Sequence, residues 1–324
     1  MNQKVIEFRQ LLQILSMFMI VQFFGILLAT QAYSGIEFYQ IQSVQLVSNT
    51  ESALFYIVYI VVLTAILLLV FKIYKGDKLF LLLEAGVVLI SSFFVFLIII
   101  ASFTGSVAYN LYGPGNPYVM IAALILSIVL VATKLKIPRL RNVTAIIASV
   151  GVGVILGISF SFEIAFIFMV VLAIYDFIAV FITKHMITLG NAAISRNLSF
   201  LVMVDEYKAV PVNSLNISER KEFAKEKHEL AKKGGVLKEL ADKNMAPIAA
   251  RTALGTGDLA VPLMLAISAY KVYFNFVLSF VIIFGAILGL GITMFILAKF
   301  KRPLPAIPPL LLGICIALLI YYVL

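Results

Sequence analysis

Long apolar runs alternate along the chain with short polar connections rich in Lys and Arg, and one extended hydrophilic stretch interrupts them. A helix crossing the ~30 Å hydrocarbon layer of a bilayer needs about 20 apolar residues. Runs of this kind predict nine spans, at 10–33, 52–73, 79–103, 117–133, 143–162, 163–183, 252–270, 275–298 and 304–323. The fifth and sixth form one apolar stretch too long for a single crossing, and "SFSFE" breaks it, with Glu163 marking an interface. The hydrophilic segment 184–251 divides a six-helix half, 1–183, from a three-helix half, 252–324. Within that segment "NISERKEFAKEKHELAKKGG" predicts a helix. Asn216 caps it with Glu219 three residues on, Glu229 pairs with Lys233, and Gly234-Gly235 ends it. Its apolar face (Ile217, Phe223, Leu230) is thin, so a solvated linker helix is favoured over a partner-binding or membrane-surface one.

Composition strengthens the membrane reading. The chain has 324 residues, of which 63% are hydrophobic and 13% charged; soluble domains run at about 45–50% and 25%. The expected class is an all-α polytopic membrane protein. The net charge of +9 reflects topology rather than nucleic-acid binding. Of all the Lys and Arg residues, only Lys271 falls on the side opposite the N-terminus, the long loop and the other basic connections. By the positive-inside rule the N-terminus and the 184–251 loop are cytoplasmic and the C-terminus is outside. The lone Cys315 excludes an internal disulfide and a cysteine-rich metal site. The opening "MNQKVIEFRQ" lacks the pattern of a cleaved secretory signal, so the first run is expected to stay as an anchor.

Three of the acidic residues lie within apolar runs: Glu84, Asp176 and Asp258. An ionisable side chain at the centre of a span costs about 2.5–3.5 kcal/mol on insertion scales and normally marks function. Glu84, six residues beyond Lys78, can snorkel to the cytoplasmic interface and reads as structural. Asp176 lies eight residues from Lys184, about 12 Å along a helix. Asp258 lies seven residues past Arg251, and so at a similar depth from the same face. No Lys or Arg inside a span is available to neutralise either one. Two carboxylates brought close lose their protons in separate steps, so one proton is shared between them. The ionised member can then deprotonate a water attacking a peptide carbonyl while the protonated member donates to the carbonyl oxygen. Such a pair needs no metal, no cofactor and no covalent intermediate.

The surrounding residues suit that chemistry. Gly255 and Gly257 each lower helix propensity by about 1 kcal/mol and admit close backbone approach. A helical substrate must unwind locally to be cut, and its freed main-chain groups need new partners. "KRPLPAIPPLLLG" offers them, because Pro303, Pro305, Pro308 and Pro309 favour an extended entrance to the last span.

Tyr175-Asp176, Gly255-Thr256-Gly257-Asp258 and Pro305-Ala306-Ile307 resemble the YD, GxGD and PAL motifs of the presenilin and signal peptide peptidase family of intramembrane aspartyl proteases. The nine-span layout and the long loop are similar too, so the resemblance covers nearly the whole chain. It implies that Asp176 and Asp258 are a catalytic dyad. It also implies that Tyr175, Gly255, Gly257, Leu259, Pro305, Ala306 and Ile307 lie along the substrate. The implied partners are transmembrane-helix or signal-peptide substrates and the lipid bilayer. Two positions depart from the family's usual Leu: Thr256 before the second glycine and Ile307 after Pro-Ala. Pro262 in "GDLAVP" looks closer to the signal peptide peptidase branch, whereas a cytoplasmic long loop is presenilin-like. A small chain of this kind fits a prokaryotic or archaeal cell membrane.

Other patterns fall short. "HELAKK" at 228–233 has Lys232 where a zinc helix needs its second His, and His185 sits at a membrane edge. Gly153-x-x-x-Gly157 and Gly285-x-x-x-Gly289 predict close helix packing. Asn142, Asn197 and Asn216 begin glycosylation-like triplets on the cytoplasmic side. The competing readings are a prepilin-type GxGD peptidase, which resembles a six-span protein, and a proton-coupled transporter using the same aspartates as a relay. A protease-dead binding or chaperone role is a minor third.

Overall fold

Helices occupy eight of the apolar runs in the computed structural model, which describes residues 3–38, 77–105, 115–137, 140–182, 199–211, 245–273, 276–300 and 304–323. They are α1 (Gln3–Phe38), α2 (Asp77–Phe103), α3 (Pro117–Lys136), α4 (Arg141–Ser159), α5 (Phe162–Phe177), α6 (Thr256–Tyr273), α7 (Phe276–Phe300) and α8 (Ile307–Val323). The run at 52–73, the helix expected at 216–235, His185 and Pro303 lie outside the described residues. Among the described residues, six helical stretches are long and apolar enough to cross a membrane: those of α1, α2, α3, α4, α7, and α5 with its continuation to Ile182. The protein is therefore a mostly helical integral membrane protein.

Local chemistry sets the helix ends. Asn116 caps α3, its Oδ1 accepting the Tyr118 N–H at 3.0 Å, with Pro117 in the first turn, where a missing N–H costs nothing. The stretch 143–183 does break where Glu163 predicted: α4 ends at Ser159 and α5 begins at Phe162. α5 then continues into a π turn over Ile178–Ile182.

The chain divides into two compact units, Met1–Gln13 with Met203–Ala253, and Ile14–Val202 with Leu254–Leu324. In the first, the Thr252 hydroxyl bonds to Gln10 Oε1 at 3.0 Å. The 184–251 segment, expected to be loop and helix, contains strand β1 (Leu201–Pro211), which pairs with β2 (Met245–Gly255) in a two-stranded sheet. The seventh apolar run is corrected accordingly. Residues 252–255, assigned to a span beginning at 252, complete a strand, and the helix starts at Thr256.

The second unit is built around α6. Every residue from Leu259 to Ala269 is buried, as a helix apolar on all sides must be. It packs on α4, α5 and α7. Glycines allow the close approaches: a Cβ at Gly153 or Gly25 would meet the Leu263 side chain, and one at Gly157 would meet Ile267. α3 instead turns Met120, Ile121, Leu124, Ile125 and Ile128 outward, a surface suited to lipid.

The second glycine pair seats α8 on α7. A Cβ at Gly289 would lie 2.3 Å from the Pro309 carbonyl oxygen and 2.7 Å from Leu310 Cα, whereas one at Gly291 meets nothing within 4 Å. Main chain cannot move aside as a side-chain tip can, so overpacking here costs about 1–3 kcal/mol. Gly289→Ala is expected to lower the thermal midpoint in detergent by several degrees, and Gly291→Ala to leave it unchanged.

Glu84 does not snorkel. It is 2% exposed and forms an ion pair with Lys134, itself 8% exposed in the last turn of α3. A basic side chain buried within the bundle was not expected. An acid and a base 50 residues apart find each other because α2 and α3 pack together.

Candidate active site

Asp176 lies in the last turn of α5 and is 6% exposed. Its carboxyl group faces the start of α8: the Ile307 N–H donates to Asp176 Oδ2 at 3.3 Å. The prolines explain this geometry. They keep residues 304–306 out of helix, so α8 begins at Ile307 with its first N–H groups lacking helical partners. One of these is spent on the carboxylate. Pro305, Ala306 and Ile307 are all buried.

Asp258 lies in the first turn of α6, immediately after the strand-to-helix turn. The Gly255 N–H donates to Asp258 Oδ2 at 3.2 Å, an arrangement that also suits the helix's partial positive N-terminus. A Cβ on Gly255 would stand 3.0 Å from that same oxygen, whereas nothing lies within 4 Å of where one on Gly257 would be. The two glycines thus differ in purpose. Gly255 makes room for the carboxylate, and Gly257 leaves open space beside it.

The two aspartates stand on neighbouring helices, because α5 and α6 pack against each other. Asp258 is half-buried, Gly257 is exposed, and Tyr175 is 39% exposed on the turn before Asp176. Leu259, grouped with the substrate residues by resemblance, is fully buried in the core and presents no surface. Among the described residues no group of three or more His, Cys, Asp or Glu could hold a metal ion.

Two contributors went unnoticed in the sequence. Gln22 of α1, fully buried, donates through Nε2 to the Leu259 carbonyl at 2.9 Å, one residue from Asp258. Its only signal was a lone amide in the run "SMFMIVQFFGILLA". The second is the Phe200 carbonyl, which accepts from both the N–H and the hydroxyl of Thr256, at 3.0 and 3.1 Å. A main-chain acceptor leaves no trace in sequence.

Residues 15–324 match the model of the family described as signal-peptide peptidase, presenilin aspartyl protease. The chain belongs to this family. Family members are aspartyl proteases, and this chain is accordingly an enzyme of that class. No curated protein is similar enough in sequence to count as a match. Among solved structures, a presenilin family intramembrane aspartate protease crystallised in space group C222 is similar over 97% of this chain and 98% of its own, with 19% identity and a TM-score of 0.59. The same description in space group P2 applies to a second, similar over 96% and 97%, with 19% identity and a TM-score of 0.57. At that identity the likeness speaks for the presenilin fold.

Proposed function

We propose that the protein hydrolyses peptide bonds within transmembrane helices or signal peptides, with Asp176 and Asp258 as a water-activating dyad. The observation that carries this reading is a pair of carboxyl groups on two helices packed against each other, each group anchored by a main-chain N–H, in a largely apolar bundle. One proton is held between them. The ionised carboxylate removes a proton from a water as its oxygen attacks the scissile carbonyl carbon, and the other carboxylic acid donates to the carbonyl oxygen. Collapse of the tetrahedral intermediate breaks the C–N bond, and the amine leaves with the proton taken from water. Pro305-Ala306-Ile307 lies against one aspartate and Gly257 opens beside the other, so an unwound substrate passes between them.

The apolar runs support nine spans, the charge distribution supports a cytoplasmic N-terminus and 184–251 segment with the C-terminus outside, and the small size of the chain fits a prokaryotic or archaeal cell membrane. Substrates then enter with their N-termini outside.

Detergent-purified protein incubated with a single-span peptide tests the reading. Cleavage is expected, with a bell-shaped dependence of kcat/KM on pH, because activity needs one carboxyl ionised and its partner protonated. The rate falls on the acidic side as both become protonated and on the alkaline side as both ionise. No cleavage, together with solute uptake driven by a pH gradient in vesicles, would favour the transporter instead.

A further inference from the structure

We propose that the buried Glu84–Lys134 ion pair positions the strand-to-helix turn that carries Asp258; this rests on the role given to Asp258 above. Glu84 Oε1 accepts from the Lys134 ammonium and from the main-chain N–H of Ser199, a buried residue just ahead of β1. The next residue, Phe200, offers the carbonyl that holds Thr256 by both its N–H and its hydroxyl. Thr256 opens α6, and Asp258 follows two residues later. A continuous path of hydrogen bonds and short covalent steps therefore runs from Lys134 through Glu84, Ser199, Phe200 and Thr256 to the aspartate.

A helix-stapling role alone does not account for this arrangement. Burying two charges is costly, and an apolar pair of similar volume is often as stable or more so. α2 and α3 already pack against each other. A leucine–methionine pair could fill the space but could not accept the Ser199 N–H. The carboxylate can, and its bond to the ammonium orients it for that second one. Thr256, where the family usually has Leu, adds a hydroxyl that doubles the bond to Phe200. Glu84 touches neither substrate nor the reacting atoms; it is a positioning residue that acts through the turn.

The test uses full-length protein carrying Glu84→Leu with Lys134→Met, which removes both charges without stranding either. A companion carries Glu84→Gln with Lys134→Met, keeping a carbonyl for the Ser199 N–H. For the first, kcat on a single-span peptide should fall about ten- to a hundredfold through misplacement of the aspartate, with KM within about twofold and the thermal midpoint lowered by only a few degrees, the effect of one unpaired buried N–H. Hydrogen exchange in the segment 254–259 should accelerate. The Gln companion should recover most of both. Adding Thr256→Val to the Leu–Met protein should cost nothing further, since both changes cut one path. Parental kcat and exchange in the Leu–Met protein, a Gln companion no better than it, or multiplied losses with Thr256→Val would each overturn the proposal. If the parent itself does not cleave, the protease reading fails, and the exchange measurement still decides whether Glu84 holds the turn.

Discussion

Asp176→Asn and Asp258→Asn each lower kcat on a single-span substrate by about 10²–10⁴-fold or more, the scale of a lost general acid or base. Asn matches Asp in shape, and its amide oxygen can still accept the Ile307 N–H in one variant or the Gly255 N–H in the other. The backbone turns that carry the site are therefore kept, and thermal midpoints stay within a few degrees of the parent. What is lost is the exchangeable proton. Because the pair works as a unit, the double variant is no slower than either single one. Single-turnover cleavage of a peptide containing one scissile span measures all three. Equal cleavage by parent and both variants would remove the dyad from the mechanism.

Ile307→Pro has the second largest expected effect, about a hundredfold on kcat, out of proportion to its effect on folding. The Ala306 carbonyl accepts the Leu310 N–H at 3.3 Å, so Ala306 caps α8 and Ile307 is its first residue. Proline is tolerated at that position because the N–H has no helical partner. Here, however, the N–H is bonded to Asp176, and proline deletes it. Ile307→Ala is the control: it removes the same buried side chain but keeps the N–H, and should retain far more activity. Comparing kcat for the two separates the main-chain contact from side-chain packing. Equal losses would show that the bond to Asp176 contributes nothing.

Much of the bundle was legible in sequence because a bilayer imposes its own thickness on apolar runs. The ends of α2, α3, α4, α7, and α5 with its π turn fall within a few residues of the expected ones. Asp176 and Asp258 stood out for the converse reason, as charge where lipid penalises it. The strands were not legible. "MAPIAARTALG" shows no clean alternation and merges into the apolar run that follows, so it reads as the approach to a helix. Its extended form comes from pairing with β1, a partner more than 30 residues away. Glu84 was legible as an oddity but not as half of a pair, because Lys134 looked like an ordinary basic residue at a membrane edge. Helix packing makes that contact, and packing leaves no local signature.

The π turn at Ile178–Ile182 has a consequence for chain length. Each ring in such a turn encloses one residue more than ordinary helical winding, and it begins two residues after Asp176. Five residues at this wider winding sweep nearly the same angle as four at the α-helical step of about 100°. Deleting a single residue there would therefore leave ordinary helix with little change of direction, whereas the same deletion in the regular turns of α5 ahead of Asp176 would rotate the aspartate by about 100°. Loss of one residue should be tolerated better in the π turn than within α5.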